Sequence, residues 1–176
     1  MIMALREILT EPNKILRTIS SRVDVVDKDL QRLMDDMLET MYAAPGIGLA
    51  AIQVGVPKRV IVLDLAPKDQ PKNPMYFVNP EIINKSSNNS VYEEGCLSVP
   101  GQFAEISRPD KCYVKYLDYY GQPKELKAEG MLATCIQHEM DHLEGVLFID
   151  YLSKLKQSMI IKKLSKQKKA IERIVV

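Results

Sequence analysis

The sequence predicts a single α+β domain, and three observations lead there. Its 176 residues, 46% hydrophobic and 27% charged, are ordinary for a soluble globular chain and sufficient to bury one core. Apolar spacing switches between helical and strand-like periods in blocks rather than in strict alternation, which argues against a doubly wound sheet. No internal repeat or linker-like stretch divides residues 1–176.

The elements are justified in chain order. From Asp27 to Met41 the apolar positions Leu30, Leu33, Met34, Met37, Leu38 and Met41 form one helical stripe, capped by Asp27 or Asp29 and stopped by Pro45-Gly46. GIGLAAIQVG (46–55) is a run of small residues. RVIVLDL (59–65) and MYFVNPEII (75–83) read as strands, and SSNNS (86–90) as a loop. KCYVKYLDYY (111–120), Gly121-Gln122 and PKELKAEG read as a β-hairpin. Helical spacing returns from Met131 to Glu144, with Gly145 as its stop. From Tyr151 onward an amphipathic helix is expected, covering 152–173, with Leu152, Leu155, Met159, Ile160, Leu164 and Ile171 as its apolar stripe.

The net charge is +1, but between Ser153 and Arg173 eight Lys or Arg face one Glu, so this segment carries +7 and the rest of the chain −6. That balance gives no reason to expect DNA or membrane binding, and no apolar run reaches membrane-spanning length. Cys96, Cys112 and Cys135 are odd in number, which fits a reducing compartment. The N-terminus lacks the features of a signal or transit peptide, so a cytoplasmic protein is expected.

The chemistry concentrates in QHEMDHLEG. His138 and His142 are the only two histidines in the chain and stand four apart, which on a helix brings both imidazoles to one cation. Glu139, between them, reaches a water on that cation. A third histidine ligand is excluded because none remains; the position that would supply one in H-E-x-x-H-x-x-G-x-x-H is Phe148. A downstream carboxylate is a poor choice, since Glu172 is the only acid beyond Asp150 and lies in the basic segment. Cysteine is left. Cys135 is one turn before His138, awkwardly far from a metal between 138 and 142. Cys96, in EGCLSVPG, is aimed from an extended segment after a glycine, and two imidazoles plus one thiolate leave a fourth tetrahedral position open for water. Cys112 reads as a small buried hydrophobe. Asp141 points off the two-histidine face, which suits a supporting role.

GIGLAAIQ (46–53), EGCLS (94–98) and HEMDH (138–142), in this order, resemble the peptide deformylase family, whose motifs are G-φ-G-φ-A-A-x-Q, E-G-C-φ-S and H-E-φ-D-H. The resemblance extends over nearly the whole chain, including a terminal helix of the bacterial type. It implies antiparallel sheets packed around a central H-E-x-x-H helix. It also implies removal of the N-formyl group from the initiator N-formylmethionine of new polypeptides, with release of formate. On this resemblance Cys96, His138 and His142 would hold a divalent ion that supplies activation of the attacking water, with Glu139 as general base and then acid. By analogy with the family, the Gln53 amide and the Leu97 backbone N–H stabilise the charge that grows on the formyl oxygen. Ile47, Tyr92 and Cys135 are the candidates for the methionine side-chain pocket, Cys135 being equally readable as core. The backbone at Ile47-Gly48 and Gly95 is the candidate for pairing with an extended peptide. The resemblance favours Fe2+ as the working ion, with Zn2+, Ni2+ and Co2+ also suited to the ligands. Many bacterial members carry Arg where this chain has Phe103, a departure that bears on substrate-backbone contacts in that loop; Arg108 remains nearby. The basic terminal helix is a candidate contact with the ribosome. The rival readings are an H-E-x-x-H endopeptidase and a non-catalytic zinc-stabilised module, the latter needing a fourth protein ligand that the sequence does not offer.

Overall fold

In the chain, a computed structural model describing residues 4–175, three helices and seven strands succeed one another with 3-10 turns between them. The first helix, α1 (Lys28–Ala43), starts where the Asp27 carboxylate accepts a hydrogen bond from the Leu30 backbone N–H at 2.9 Å, so Asp27 rather than Asp29 is the cap. All six residues of its expected apolar stripe are buried.

The strands are β1 (Gly48–Ala50), β2 (Val60–Leu63), β3 (Met75–Lys85), β4 (Asn89–Cys96), β5 (Val99–Pro109), β6 (Lys111–Leu117) and β7 (Pro123–Glu129). They form a five-stranded antiparallel sheet ordered β1-β2-β3-β6-β7 and a separate hairpin, β4-β5. The second helix, α2 (Gly130–Leu143), packs against β1, β2 and β7 on one side and meets β4 and β5 on the other. All four residues of β2 are buried because the sheet is covered on both faces. Val60 and Val62 join the α1 core with Met34, Met37 and Leu49, while Ile61 and Leu63 join the α2 core with Phe77, Ala133 and Ile136. The helix carrying the two histidines is thus held between the sheet and the hairpin, which is the α+β arrangement expected.

Two features differ from expectation. Residues 86–90 are not all loop, since β4 already begins at Asn89. The hairpin it forms with β5 was not legible as strand, because its inner face carries Glu94 and Arg108, both buried, where a hydrophobic alternation would have apolar residues. The last helix, α3 (Lys154–Ile174), begins with the Ser153 hydroxyl accepting from the Lys156 N–H at 3.3 Å. Its apolar stripe is only partly used. Leu164 is buried, with Ile160 and Ile161 beside it, against Val99, Ile106, Phe148 and Ile149, whereas Leu155, Met159 and Ile171 are exposed.

Helix α2 ends as its glycine predicted. The Gly145 N–H donates to the His142 carbonyl at 3.1 Å and the Val146 N–H to the Asp141 carbonyl at 2.9 Å, a Schellman closure with Gly145 at φ 71°. A Cβ at Gly145 would lie 2.4 Å from the Arg17 carbonyl oxygen, so glycine is required there for close approach as well as for conformation. This closure fixes the last turn of α2, on which His142 sits.

Candidate active site

Helix α2 stacks His138 and His142 one turn apart, with ring centroids 5.0 Å from each other. The third donor arrives from the tip of the β4-β5 hairpin. The register shifts between Gly95 and Cys96, so Gly95 pairs with Phe103 while Cys96 pairs with Val99, and the thiol turns toward α2. Cys96 Sγ lies 3.4 Å from His142 Nε2, and donor atoms of Cys96, His138 and His142 all fall within 4.8 Å of one another. Bonds of about 2.0–2.3 Å to a tetrahedral cation bring such atoms to about 3.5 Å apart. The donor set therefore fits a single ion with only small closure. Cys135 is not part of the cluster.

His138 is oriented from behind. Its Nδ1 lies 2.9 Å from Glu94 Oε2, leaving Nε2 for a metal. Glu94 is in turn gripped by Arg108, whose Nε and Nη2 donate to its two oxygens at 2.6 and 3.0 Å. Arg108 Nη1 donates to Asp141 Oδ2 at 2.8 Å, and the Tyr151 hydroxyl donates to the same oxygen at 2.8 Å. Burial pushes the Glu94 carboxyl up, but its bonds with His138 and Arg108 outweigh burial and hold it below the usual carboxylate range. Arg108, the cation near Phe103 in sequence, is thus committed to this network and is not among the residues that line the cleft. Asp141 plays the supporting part its position implied. Glu94 and Tyr151 were missed, because a glutamate beside a Gly-Cys step and an isolated tyrosine look like any surface residues.

The network carries a measurable expectation. Glu94→Gln is expected to weaken metal binding by about 10–100-fold. It should also destabilise the fold by about 3–5 kcal/mol, because the buried Arg108 charge loses its carboxylate. Metal titration and denaturant unfolding check both, and wild-type values in each would detach Glu94 from the centre.

Glu139 is 5% exposed, and its Oε2 has no hydrogen-bond partner among the described residues. Burial is the main reason its carboxyl is pushed up to about 7. Such an unpartnered oxygen beside a three-donor cluster fits a site that holds a cation and a water. Its other oxygen presses on Gly48: a Cβ there would lie 2.5 Å from Glu139 Oε1 and 2.8 Å from Leu63 Cδ2. Gly48→Ala is therefore expected to displace the carboxylate and cost about 100-fold in kcat with the metal content unchanged. Metal analysis beside kinetics tests this, and wild-type turnover would refute it.

Gln53, on the 3-10 turn after β1, is buried. Its Oε1 accepts from the Ala50 N–H at 2.9 Å, and its Nε2 donates to Ser98 Oγ at 3.0 Å and lies 3.6 Å from Cys96 Sγ. The amide is thereby fixed beside the thiol. Leu97 is at the hairpin tip, packed on Gly46.

A cleft of about 440 Å³ opens over this cluster. Ile47, Gly48, Gln53, Tyr92, Gly95, Cys96, Leu97, Cys135, His138 and Glu139 all line it, whereas His142 is fully buried beneath. Cys135 belongs both to the wall and to the α2 core, and burial pushes its thiol up to about 12, so it stays protonated. Met131 and Phe103 also line the cleft and were not among the expected pocket residues. Among the described residues the cleft lies between two unpaired strand edges: β1 ends the five-stranded sheet, and β4 has a partner on one side only.

Comparison with known proteins bears on this site directly. The family model described as polypeptide deformylase matches residues 5–158. The chain belongs to this family. It is 68% identical over 174 residues to the peptide deformylase of Pelagibacter ubique, covering 99% of this chain and 100% of that one. It is 62% identical over 171 residues to that of Maricaulis maris, covering 97% and 98%. The crystal structure of the peptide deformylase from Ehrlichia chaffeensis superposes with a TM-score of 0.90 at 43% identity, covering 95% of this chain and 98% of that one. The same enzyme in complex with actinonin gives 0.90 at 44% identity over 94% and 98%. As a member of the deformylases the chain is a hydrolase of protein biosynthesis, and its Cys96–His138–His142 cluster is a candidate site for a divalent metal. Among the described residues no helix is long and apolar enough to cross a membrane.

Proposed function

We propose that the chain hydrolyses the formamide of N-formylmethionine at the start of newly made polypeptides, releasing formate and a free α-amine. The observation that carries this reading is the convergence of two imidazoles, one cysteine sulfur and one unpartnered buried carboxyl group at a cleft with room for an extended peptide. A divalent ion, Fe2+ in our reading, held by Cys96, His138 and His142 would supply acidification of a water and polarisation of the formyl carbonyl. The chain's own residues do the rest. Glu139 takes the proton of the attacking water and returns it to the departing amine. The Gln53 amide, whose Nε2 bonds Ser98 and lies within reach of Cys96 Sγ, and the Leu97 backbone N–H donate to the formyl oxygen as its charge grows. The peptide backbone lies between the free edges at Gly48 and Gly95, and the methionine side chain enters among Ile47, Tyr92, Met131 and Cys135.

The test is formate release from formyl-Met-Ala-Ser by protein purified without oxygen and with its metal quantified. Rapid release requiring about one metal per chain is expected; none from fully metallated protein would overturn the reading. A closed, non-catalytic zinc module is disfavoured by the cluster of only three donors among the described residues. We further place the protein in the cytoplasm, at the ribosome, through the basic face of α3, whose exposed lysines fit an anionic surface. Deleting 162–176 is then expected to abolish co-sedimentation with ribosomes while formate release persists, and unchanged co-sedimentation would remove α3 as the contact.

A further inference from the structure

Along the β4-β5 hairpin the side chains alternate cleanly. Tyr92, Glu94 and Ile106 turn inward, while Glu93, Phe103 and Glu105 turn out. Phe103 is 65% exposed although it lines the mouth of the cleft. Its ring lies across β4: Gly95 is its cross-strand partner, and a Cβ at Gly95 would come within 2.5 Å of Phe103 Cε1 and 2.7 Å of Cδ1. The ring therefore occupies the room that a side chain at position 95 would fill, toward the unpaired edge of β4. A peptide added to that edge alternates its side chains as the strand does. With methionine turned inward to Tyr92 and Cys135, the next side chain turns outward, onto the face that carries the ring. We propose that Phe103 determines specificity for the residue after formylmethionine, as the wall of a subsite for an apolar side chain; this rests on the deformylase reading above.

Charge sharpens the assignment. No Lys or Arg lines the cleft among the described residues. Of its carboxylates, Glu94 is neutralised by Arg108 and Glu139 lies on the floor, which leaves Glu93 on the outward face beside the ring. An acidic residue after the methionine meets that charge with nothing to offset it.

The experiment measures kcat and KM on metal-loaded enzyme for formyl-Met-X-Ser, with X as Leu, Phe, Ser, Asn and Asp. The wild type should favour Leu and Phe over Ser by about tenfold in kcat/KM, chiefly through KM, and Asn over Asp. Phe103→Ala should bring the Leu-to-Ser ratio to within about twofold, and Phe103→Lys, equally compatible with an exposed position, should reverse the Asn-over-Asp preference. A wild type indifferent to X, or ratios unchanged in both variants, overturns the assignment and leaves the deformylase reading standing. No formate from any of the peptides removes both.

Discussion

Glu139→Ala should retain about one metal ion per chain and lose turnover by about a hundred- to ten-thousandfold, the usual worth of a positioned proton-transfer group. The two halves of this expectation come from different parts of the site. Metal retention is expected because Glu139 is not one of the three clustered donors. Loss of turnover is expected because, in the proposed reaction, its unpartnered Oε2 is the base beside the cation, and of the other cleft-lining carboxylates Glu93 is exposed on the outward face of the hairpin. Glu94 is locked between His138 and Arg108 and cannot substitute. Glu139→Gln makes the stricter comparison, since it keeps the volume pressed against Gly48 and removes only the capacity to take a proton. Formate kinetics beside metal analysis decides the matter. Wild-type rates in a metallated variant would take Glu139 out of the chemistry, and a metal-free variant would instead make it a ligand.

Cys96→Ala is expected to deplete the metal. The weakening should exceed the about 10–100-fold that losing a supporting hydrogen bond costs, because a donor itself is removed. Cys96 is partly exposed at a hairpin tip, so the fold loses little packing with it. Cys135→Ala is the natural control: it removes a buried thiol from the cleft wall and the α2 core, lowering stability while leaving the three donors in place. Metal stoichiometry after purification of both variants separates the cysteines, and full occupancy in Cys96→Ala would reassign the third ligand.

Legibility in the sequence depended on where each signal lies. Helix α1 was legible because six buried residues repeat at the helical period, and α2 because its two histidines are the only ones in the chain. The donor set was legible by elimination. The β4-β5 hairpin was not, for a physical reason: its inward positions hold an ion pair that supports His138, so the alternation that marks a strand is spent on polar groups. The same exchange concealed Arg108, whose destination is fixed by Glu94 and Asp141, partners far from it in sequence. In α3 the spacing was right but the neighbour was not foreseeable, since only the side near Leu164 meets the body.

The free edges of β1 and β4 bear on how widely such an enzyme can serve. An edge recognises amide and carbonyl groups, which every polypeptide presents at the same interval whatever its sequence. A catalyst that grips its substrate chiefly there spends little of its selectivity on residues beyond the first. In the proposed binding mode such a catalyst would process the products of many messages, with side chains such as Phe103 biasing the order in which they are handled rather than deciding which are handled at all.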